Sequence, residues 1–502
     1  MEPRVRIAQG ELQGTQHQHH QAFLGLPFAE PPVGILRFRP PQSARPWSGV
    51  RDATSFGASC PQGHHPIPGM AASGSRDEDC LHLNVFTPAA DDQSRPVLFW
   101  IHGGGFQMGS GSELLYNGGP LTERGDLVVV TIHYRLGALG YACFPSAAEI
   151  WGATPNNGQL DQIHALKWVR ENIAGFGGDP DNITIFGESA GASAVATLLA
   201  MPESKGLFHK AILQSGSGAR TRTTDQATEL TDRLLHELSV DAADREAICT
   251  LPVDQIVEAQ RIISSGGDGM GGFGPVKDGV ILPDMPLQAV SAGVAADIPL
   301  LIGTNRDESK LFNAVPNRPP LDDAELRQQV ARILDSDAAT ADDMVRLFVE
   351  SRAAHQLPAS NHDIVDIIQT VVGFRVPGNR LAEQQSRHQP NTFLYLFSWE
   401  SPARRGELGS CHALEMPFVF GTLDAPTQDR FAGKGLDADN LSHNMMDAWI
   451  AFAGYADPSH PGIGNWRPFE GDKRHTMVFA RECELKQDPF AKERVAIEEL
   501  AG

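Results

Sequence analysis

Ile183-Thr184-Ile185-Phe186-Gly187-Glu188-Ser189-Ala190-Gly191 is the stretch that decides the fold. Its four leading residues are apolar or β-branched and predict a short buried strand, and the alanine-rich run 192–200 that follows predicts a helix. Between them lies G-x-S-x-G. A serine hydroxyl becomes a nucleophile where it stands clear of the backbone on a tight strand-to-helix turn, and such a turn tolerates no bulk two positions to either side. Gly187 and Gly191 meet that need. In a chain with 50 glycines the pentapeptide alone is a weak signal. A strand before it and a helix after it make it a nucleophile elbow, with Ser189 as the predicted nucleophile.

Upstream, His102-Gly103-Gly104-Gly105-Phe106 follows another apolar run, 96–101. Three consecutive glycines directly after a strand let backbone N–H groups converge on one point that side chains would block. This predicts an oxyanion-hole loop, with donors from Gly104, Gly105 and Ala190, the residue after the nucleophile. A glycine loop followed by a G-x-S-x-G elbow is the order found in one architecture, the α/β-hydrolase fold.

The rest of the chain fits that architecture. Apolar runs at 96–101, 127–134, 183–186, 209–214, 299–304, 392–397 and 476–479 predict strands. Residues 160–173 predict a helix, with Leu160, Ile163, Leu166, Val169 and Ile173 on one face. Short buried strands alternating with helices predict an α/β class, a large and mostly parallel central sheet with helices on both faces. Segments at about 221–270 and 316–387 are helical and more polar, and are expected to be cap insertions in a single domain spanning 1–502. No repeat or linker divides the chain.

Composition removes other classes. The chain has 502 residues, 41% hydrophobic and 21% charged, in the range of a water-soluble globule. Its apolar runs are strand-length, far short of the ~20 residues of a spanning helix, so no membrane role is expected. The start Met1-Glu2-Pro3-Arg4-Val5-Arg6 lacks an apolar leader, which predicts a cytoplasmic protein unless a leader was trimmed. A net charge of −21, with no basic stripe, argues against nucleic acid as a partner; its plain reading is solubility, with a modest preference for neutral or cationic substrates over anionic ones as the alternative. The six cysteines form neither a disulfide scaffold nor a C-x-x-C metal pair. His17, His19 and His20 cluster in a polar N-terminal hairpin without further ligands, so no metal site is predicted. Gly267-Asp268-Gly269-Met270-Gly271-Gly272 matches G-x-G-x-x-G, but no strand precedes it and Phe273-Gly274-Pro275 cannot open a helix. It is expected to be a loop bordering an acyl pocket.

Elbow and glycine loop together resemble the type-B carboxylesterase family of α/β-hydrolases, which includes cholinesterases and bacterial para-nitrobenzyl esterases. The likeness extends over most of the chain, through Phe23-Leu24-Gly25-Leu26-Pro27-Phe28-Ala29-Glu30-Pro31-Pro32, Glu78-Asp79-Cys80-Leu81, Tyr134-Arg135-Leu136-Gly137, Phe176-Gly177-Gly178-Asp179-Pro180 and Gln214-Ser215-Gly216-Ser217. It implies a serine hydrolase that cleaves small to medium neutral carboxylic esters through an acyl-enzyme, without cofactor or metal. The same apparatus serves amide, carbamate or polyester cleavage, and an adhesion module of this fold would lack the serine or the histidine.

In this fold the acid lies in sequence between nucleophile and histidine, in a loop leaving a strand. Asn305-Arg306-Asp307-Glu308-Ser309 follows the run 299–304, and the resemblance places the acid at Glu308, with Ser309 where the family usually has glycine. Asp307 is the reserve, and Asp278 is better explained as a turn residue. Among 18 histidines, His412 in Gly409-Ser410-Cys411-His412-Ala413-Leu414-Glu415 resembles the family's catalytic segment. His102 is expected to shape its turn, His443 to lie on a helix, and Cys411 to pack. The resemblance further implies that Glu188 and Ser215 line the floor of the triad. It also implies that Arg37 pairs with Glu78 and Arg135 with Asp161. Cys60 and Cys80 correspond to the family's first disulfide, the alternative being two free thiols. No tryptophan stands between them, where the cholinesterases carry one, which argues against choline esters.

Overall fold

The apolar runs pair as strands in the computed structural model, which describes residues 2–63, 72–144, 152–265, 272–315 and 318–500. They are shared between two compact units. One comprises Met1–Leu213, Gly218–Ile298 and Ala453–Ala456; the other comprises Gln214–Ser217, Pro299–Phe452 and Asp457–Gly502.

In the first unit, Gln21–Pro27, His82–Thr87, Val128–Ile132, Arg95–Ile101, Gly178–Glu188 and Lys210–Gln214 lie side by side in that order. Arg95–Ile101 is parallel to both Val128–Ile132 and Gly178–Glu188. His82–Thr87 runs antiparallel to Val128–Ile132 and to Gln21–Pro27. Val97, Leu98, Phe99, Trp100 and Ile101 are all fully buried. Burial of successive residues means that both faces of the strand are covered, which is why its sequence is continuously apolar rather than alternating. The helix Asn157–Asn172 buries the predicted stripe of Leu160, Ile163, Leu166 and Val169, and buries Gln159, Asp161 and Gln162 as well.

The glycine-rich decoy falls largely at 266–271, outside the described residues. Before it, Thr224–Leu238 opens with a capping box from Thr223 and Gln226 and buries Ala227, Leu230, Thr231 and Leu234 at three- and four-residue spacing.

In the second unit, Leu300–Asn305, Thr392–Phe397 and His475–Phe479 are parallel neighbours, with Glu484–Gln487 antiparallel at the edge. Register sets Asn305 opposite Phe397, so the loops that follow these strands leave from the same end. Helices Asp323–Leu334, Ala338–Ala354 and Asn361–Thr370 share a core containing Leu326, Val330, Phe348, Ile364 and Ile368. After them, Val371–Arg375 is a π-helical turn leading into Val376–Ser386. No helix among the described residues is long and apolar enough to cross a membrane.

Candidate active site

Register builds the nucleophile's surroundings. Ile101 is paired with Gly187, so the chain leaving Arg95–Ile101 emerges beside the chain leaving Gly178–Glu188. Ser189 joins that strand to the helix Ala190–Ala200 with φ 57° and ψ −119°. Left-handed φ in a non-glycine residue is strained, and this strain lifts the side chain off the end of the strand. Ser189 is only half-buried, whereas Glu188 and Ala190 on either side are buried. The flanking glycines are obligatory. A Cβ at Gly187 would lie 2.5 Å from the carbonyl carbon of Gly191, and one at Gly191 would lie 2.0 Å from the carbonyl oxygen of Ile101.

The glycine loop turns just beyond. Gly104 and Gly105 have φ of 109° and 65°, and the N–H groups of Gln107 and Met108 both close back onto the Gly104 carbonyl. A Cβ at Gly104 would meet the Met108 carbonyl oxygen at 2.1 Å, while one at Gly105 would meet nothing. Gly103 sits over Glu188: its missing Cβ would be 2.8 Å from Glu188 Oε2 and 3.2 Å from the Ser189 Cβ. His102 is buried, its Nδ1 donates to the Gly103 carbonyl at 2.8 Å, and its own carbonyl accepts from the Tyr134 hydroxyl. Burial lowers its pKa to about 4, so it braces the turn as a neutral ring.

In the second unit, Nδ1 of His412 donates to Glu308 Oε2 at 2.6 Å, and both residues are buried. The other oxygen of Glu308 accepts the Asn305 backbone N–H at 2.7 Å. Rings of Phe312 and Phe374 flank the imidazole at 4.9 and 5.2 Å between centroids. Asp307 faces elsewhere. It accepts from Arg306 Nε at 2.8 Å, Arg352 Nη1 at 3.2 Å and the Ser410 N–H at 3.1 Å. Burial pushes its carboxyl up, but Arg306, Arg352 and Lys310 together outweigh burial and hold it at about 2. Asp278 caps a turn, its Oδ1 accepting from the N–H groups of Val280, Ile281 and Leu282.

Asn305, which the sequence reading passed over, ties this half together. Its side chain donates to the Cys411 carbonyl at 2.7 Å and to Glu415 Oε2 at 2.6 Å, while its backbone holds Glu308. The available signal was its position at the strand end, three residues before the predicted acid. Ser215 follows the strand Lys210–Gln214 with φ 57° and donates its N–H to the Gly303 carbonyl. Both implied ion pairs form, Arg37 with Glu78 at 2.6 Å and Arg135 with Asp161 at 2.6 Å. Another serine–histidine contact, Ser112 Oγ to His133 Nε2 at 2.8 Å, is structural. Burial, reinforced by nearby His102 and His82, lowers His133 to about 3, which makes it a poor base.

Of the two readings of Cys60 and Cys80, bridge or free thiols, the structure has the second, and both side chains are buried. The Cys60 sulfur accepts the Leu136 N–H at 3.3 Å, and the hydrogen bond to Cys60, together with burial, pushes the Cys80 thiol well up. Cys411 is buried beside the histidine, and burial raises its thiol too, so it packs as a neutral group. His17 and His20 stack at 4.4 Å and His20 contacts Glu123, but among the described residues no group of three His, Cys, Asp or Glu is arranged for a metal ion.

A strained strand-to-helix serine, a glycine loop beside it and a carboxylate-bound histidine after later strands define an α/β-hydrolase of the serine esterase type. The chain belongs to the carboxylesterase family, whose model matches residues 1–497. It is 37% identical to para-nitrobenzyl esterase of Bacillus subtilis (strain 168) over 98% of this chain and 97% of that one. It is 34% identical to phenmedipham hydrolase of Pseudarthrobacter oxydans over 99% of both. A solved carboxylesterase structure from Geobacillus stearothermophilus matches with a TM-score of 0.87 at 36% identity, covering 98% of this chain and 99% of that one. The protein is accordingly a carboxylic ester hydrolase.

Proposed function

We propose that Ser189, His412 and Glu308 form the catalytic triad and that the N–H groups of Gly104, Gly105 and Ala190 form the oxyanion hole. The observation that carries this reading is the 2.6 Å bond from His412 Nδ1 to Glu308. It fixes the tautomer in which Nδ1 carries the proton and Nε2 carries the basic lone pair. His412 takes the Ser189 proton as Oγ attacks the ester carbonyl, and the carbonyl electron pair moves onto an oxygen held by the three N–H donors. The protonated imidazole then gives its proton to the departing alcohol, leaving an acyl-enzyme. Water, deprotonated by the same histidine, releases the acid and restores the serine. Each donor contributes on the order of a hundredfold in rate, because it meets charge that exists only in the transition state.

The substrates we assign are small to medium neutral esters. Net charge of −21 disfavours anionic substrates through the overall field, and no tryptophan lies between Cys60 and Cys80 to stack on a choline cation. Six free cysteines support a reducing, cytoplasmic compartment. A para-nitrophenyl ester series assayed with wild type and Ser189→Ala tests the reading. The variant is expected to lose a factor on the order of a million in kcat; equal rates would overturn the nucleophile.

A further inference from the structure

The glycine loop is held from outside by a residue that no part of the triad uses. Gln62 is buried, and its amide makes four hydrogen bonds. Two reach its own segment: Nε2 donates to the Cys60 carbonyl at 3.0 Å, and Oε1 accepts the Ala72 N–H at 3.1 Å. The other two go to a single residue across the gap. Nε2 donates to the Gly109 carbonyl at 2.9 Å, and Oε1 accepts the Gly109 N–H at 2.8 Å. Both amide protons and both oxygen lone pairs are thus used, so the side chain has one orientation that satisfies it.

Gly109 is where such a clamp has leverage. It has φ 112°, and it presses so closely on the loop's start that a Cβ there would lie 2.4 Å from His102 Nδ1 and 2.5 Å from the Gly103 carbonyl oxygen. It directly follows Met108, whose N–H closes the turn onto Gly104. The limb gripped by Gln62 is therefore the limb that completes the turn carrying Gly104 and Gly105. We infer that Gln62 is a positioning residue for the oxyanion hole, aiming those two N–H groups by pairing both backbone polar groups of Gly109. The inference rests on the assignment of Gly104 and Gly105 as oxyanion donors. A clamp of this kind acts on rate rather than on substrate binding, because the donors are needed most when the carbonyl oxygen becomes charged.

The test compares wild type with Gln62→Met, which keeps the shape and removes all four bonds, and with Gln62→Asn, which keeps an amide but withdraws it by one methylene. Active sites are first counted by fluorophosphonate titration, so that unfolded protein does not enter the rates. Three quantities are then measured: kcat and KM on a para-nitrophenyl ester, inhibition by an aryl trifluoromethyl ketone, and inhibition by benzyl alcohol. The ketone takes the Ser189 oxygen at its carbonyl carbon while the proton passes to His412, and it leaves an oxyanion in the hole. The alcohol places no charge there. Expected is a fall in kcat on the order of tenfold or more for Gln62→Met, and a smaller fall for Gln62→Asn, with KM little changed. The inhibition constant of the ketone should rise by the same factor as kcat/KM falls, while that of benzyl alcohol stays put. Unchanged kcat/KM, or a fall with no weakening of the ketone, would overturn the role of Gln62 while leaving Ser189 as nucleophile. Failure of the fluorophosphonate to label Ser189 in wild type would instead overturn the nucleophile itself.

Discussion

Asp307 and Ser410 exchange two hydrogen bonds, the Asp307 N–H to the Ser410 carbonyl at 2.9 Å and the Ser410 N–H to Asp307 Oδ2 at 3.1 Å. This staple joins the loop of the acid to the loop of the histidine two residues before His412. Its carboxylate is ionised because Arg306 and Arg352 flank it, and Gly409 leaves it room: a Cβ there would sit 2.7 Å from Oδ2. Asp307→Asn takes the paired carboxylate from the buried Arg352 guanidinium and leaves Arg306 with Glu400 alone, and should destabilise the fold by about 3–5 kcal/mol at neutral pH, measured by urea unfolding. The sign with pH follows from the direction of the shift. The folded carboxyl titrates at about 2, below its ordinary value, so its contribution is complete above pH ~4 and is lost as pH falls towards 2. The gap between wild type and Asp307→Asn should narrow by about 2 kcal/mol over that interval. A gap independent of pH would show that Asp307 is not held low.

Glu308 should behave quite differently. Glu308→Gln keeps the shape but removes the charge that steadies a protonated imidazole and admits the wrong tautomer of His412. Its kcat should fall by a factor on the order of ten thousand. Glu308→Asp retains the charge and withdraws it by one methylene from a 2.6 Å contact, so an intermediate loss is expected. Asp307→Asn, assayed alongside on folded protein, should lose less than either. If Asp307→Asn proves the more damaging in kcat, the acid has been assigned to the wrong member of the pair.

The sequence was most legible where one residue type satisfies one geometric demand. Gly187 and Gly191 could be read because their neighbours leave no space for a Cβ, and 96–101 because a strand covered on both faces must be continuously apolar. The strand His82–Thr87 was not legible. It is buried throughout, yet His82, Asn84 and Thr87 break its apolar pattern, and Asn84 and Thr87 are tolerated because partners distant in sequence satisfy them. Asn84 donates to Thr131 Oγ1 at 3.0 Å and accepts the Gly25 N–H at 3.0 Å. The same reason hid Asn305 and Gln62, whose work lies in bonds to residues such as Cys411 and Gly109. A polar residue in a window of sequence carries no mark of the partner that will pair with it.

The six cysteines make a chemical prediction. Cys60, Cys80, Cys143 and Cys411 are buried, whereas Cys249 and Cys483 are half-buried. Under native conditions iodoacetamide should modify Cys249 and Cys483 first, and in denaturant all six should react without prior reduction. Peptide mass mapping reads both. A Cys60–Cys80 cross-linked peptide from non-reducing digestion would contradict the free-thiol geometry.

The glycine loop offers a comparison within three residues. Gly104 and Gly105 both have left-handed φ, so alanine at either position bears a conformational cost of about 1–2 kcal/mol. Only Gly104 adds a collision, because its new Cβ would fall 2.1 Å from the Met108 carbonyl oxygen, a backbone atom that cannot rotate away. Relieving that contact must open the turn whose closure fixes both N–H groups proposed as donors. Gly105 has open space in the same direction, so its alanine variant is strained without being displaced. Gly104→Ala should therefore lose on the order of a hundredfold or more in kcat, as expected when an oxyanion donor is misplaced, while Gly105→Ala should lose far less and show only a small drop in Tm. Steady-state kinetics and thermal unfolding of the two variants decide it. Equal losses of kcat would mean that the positive φ, and not the contact with Met108, governs the geometry of the hole.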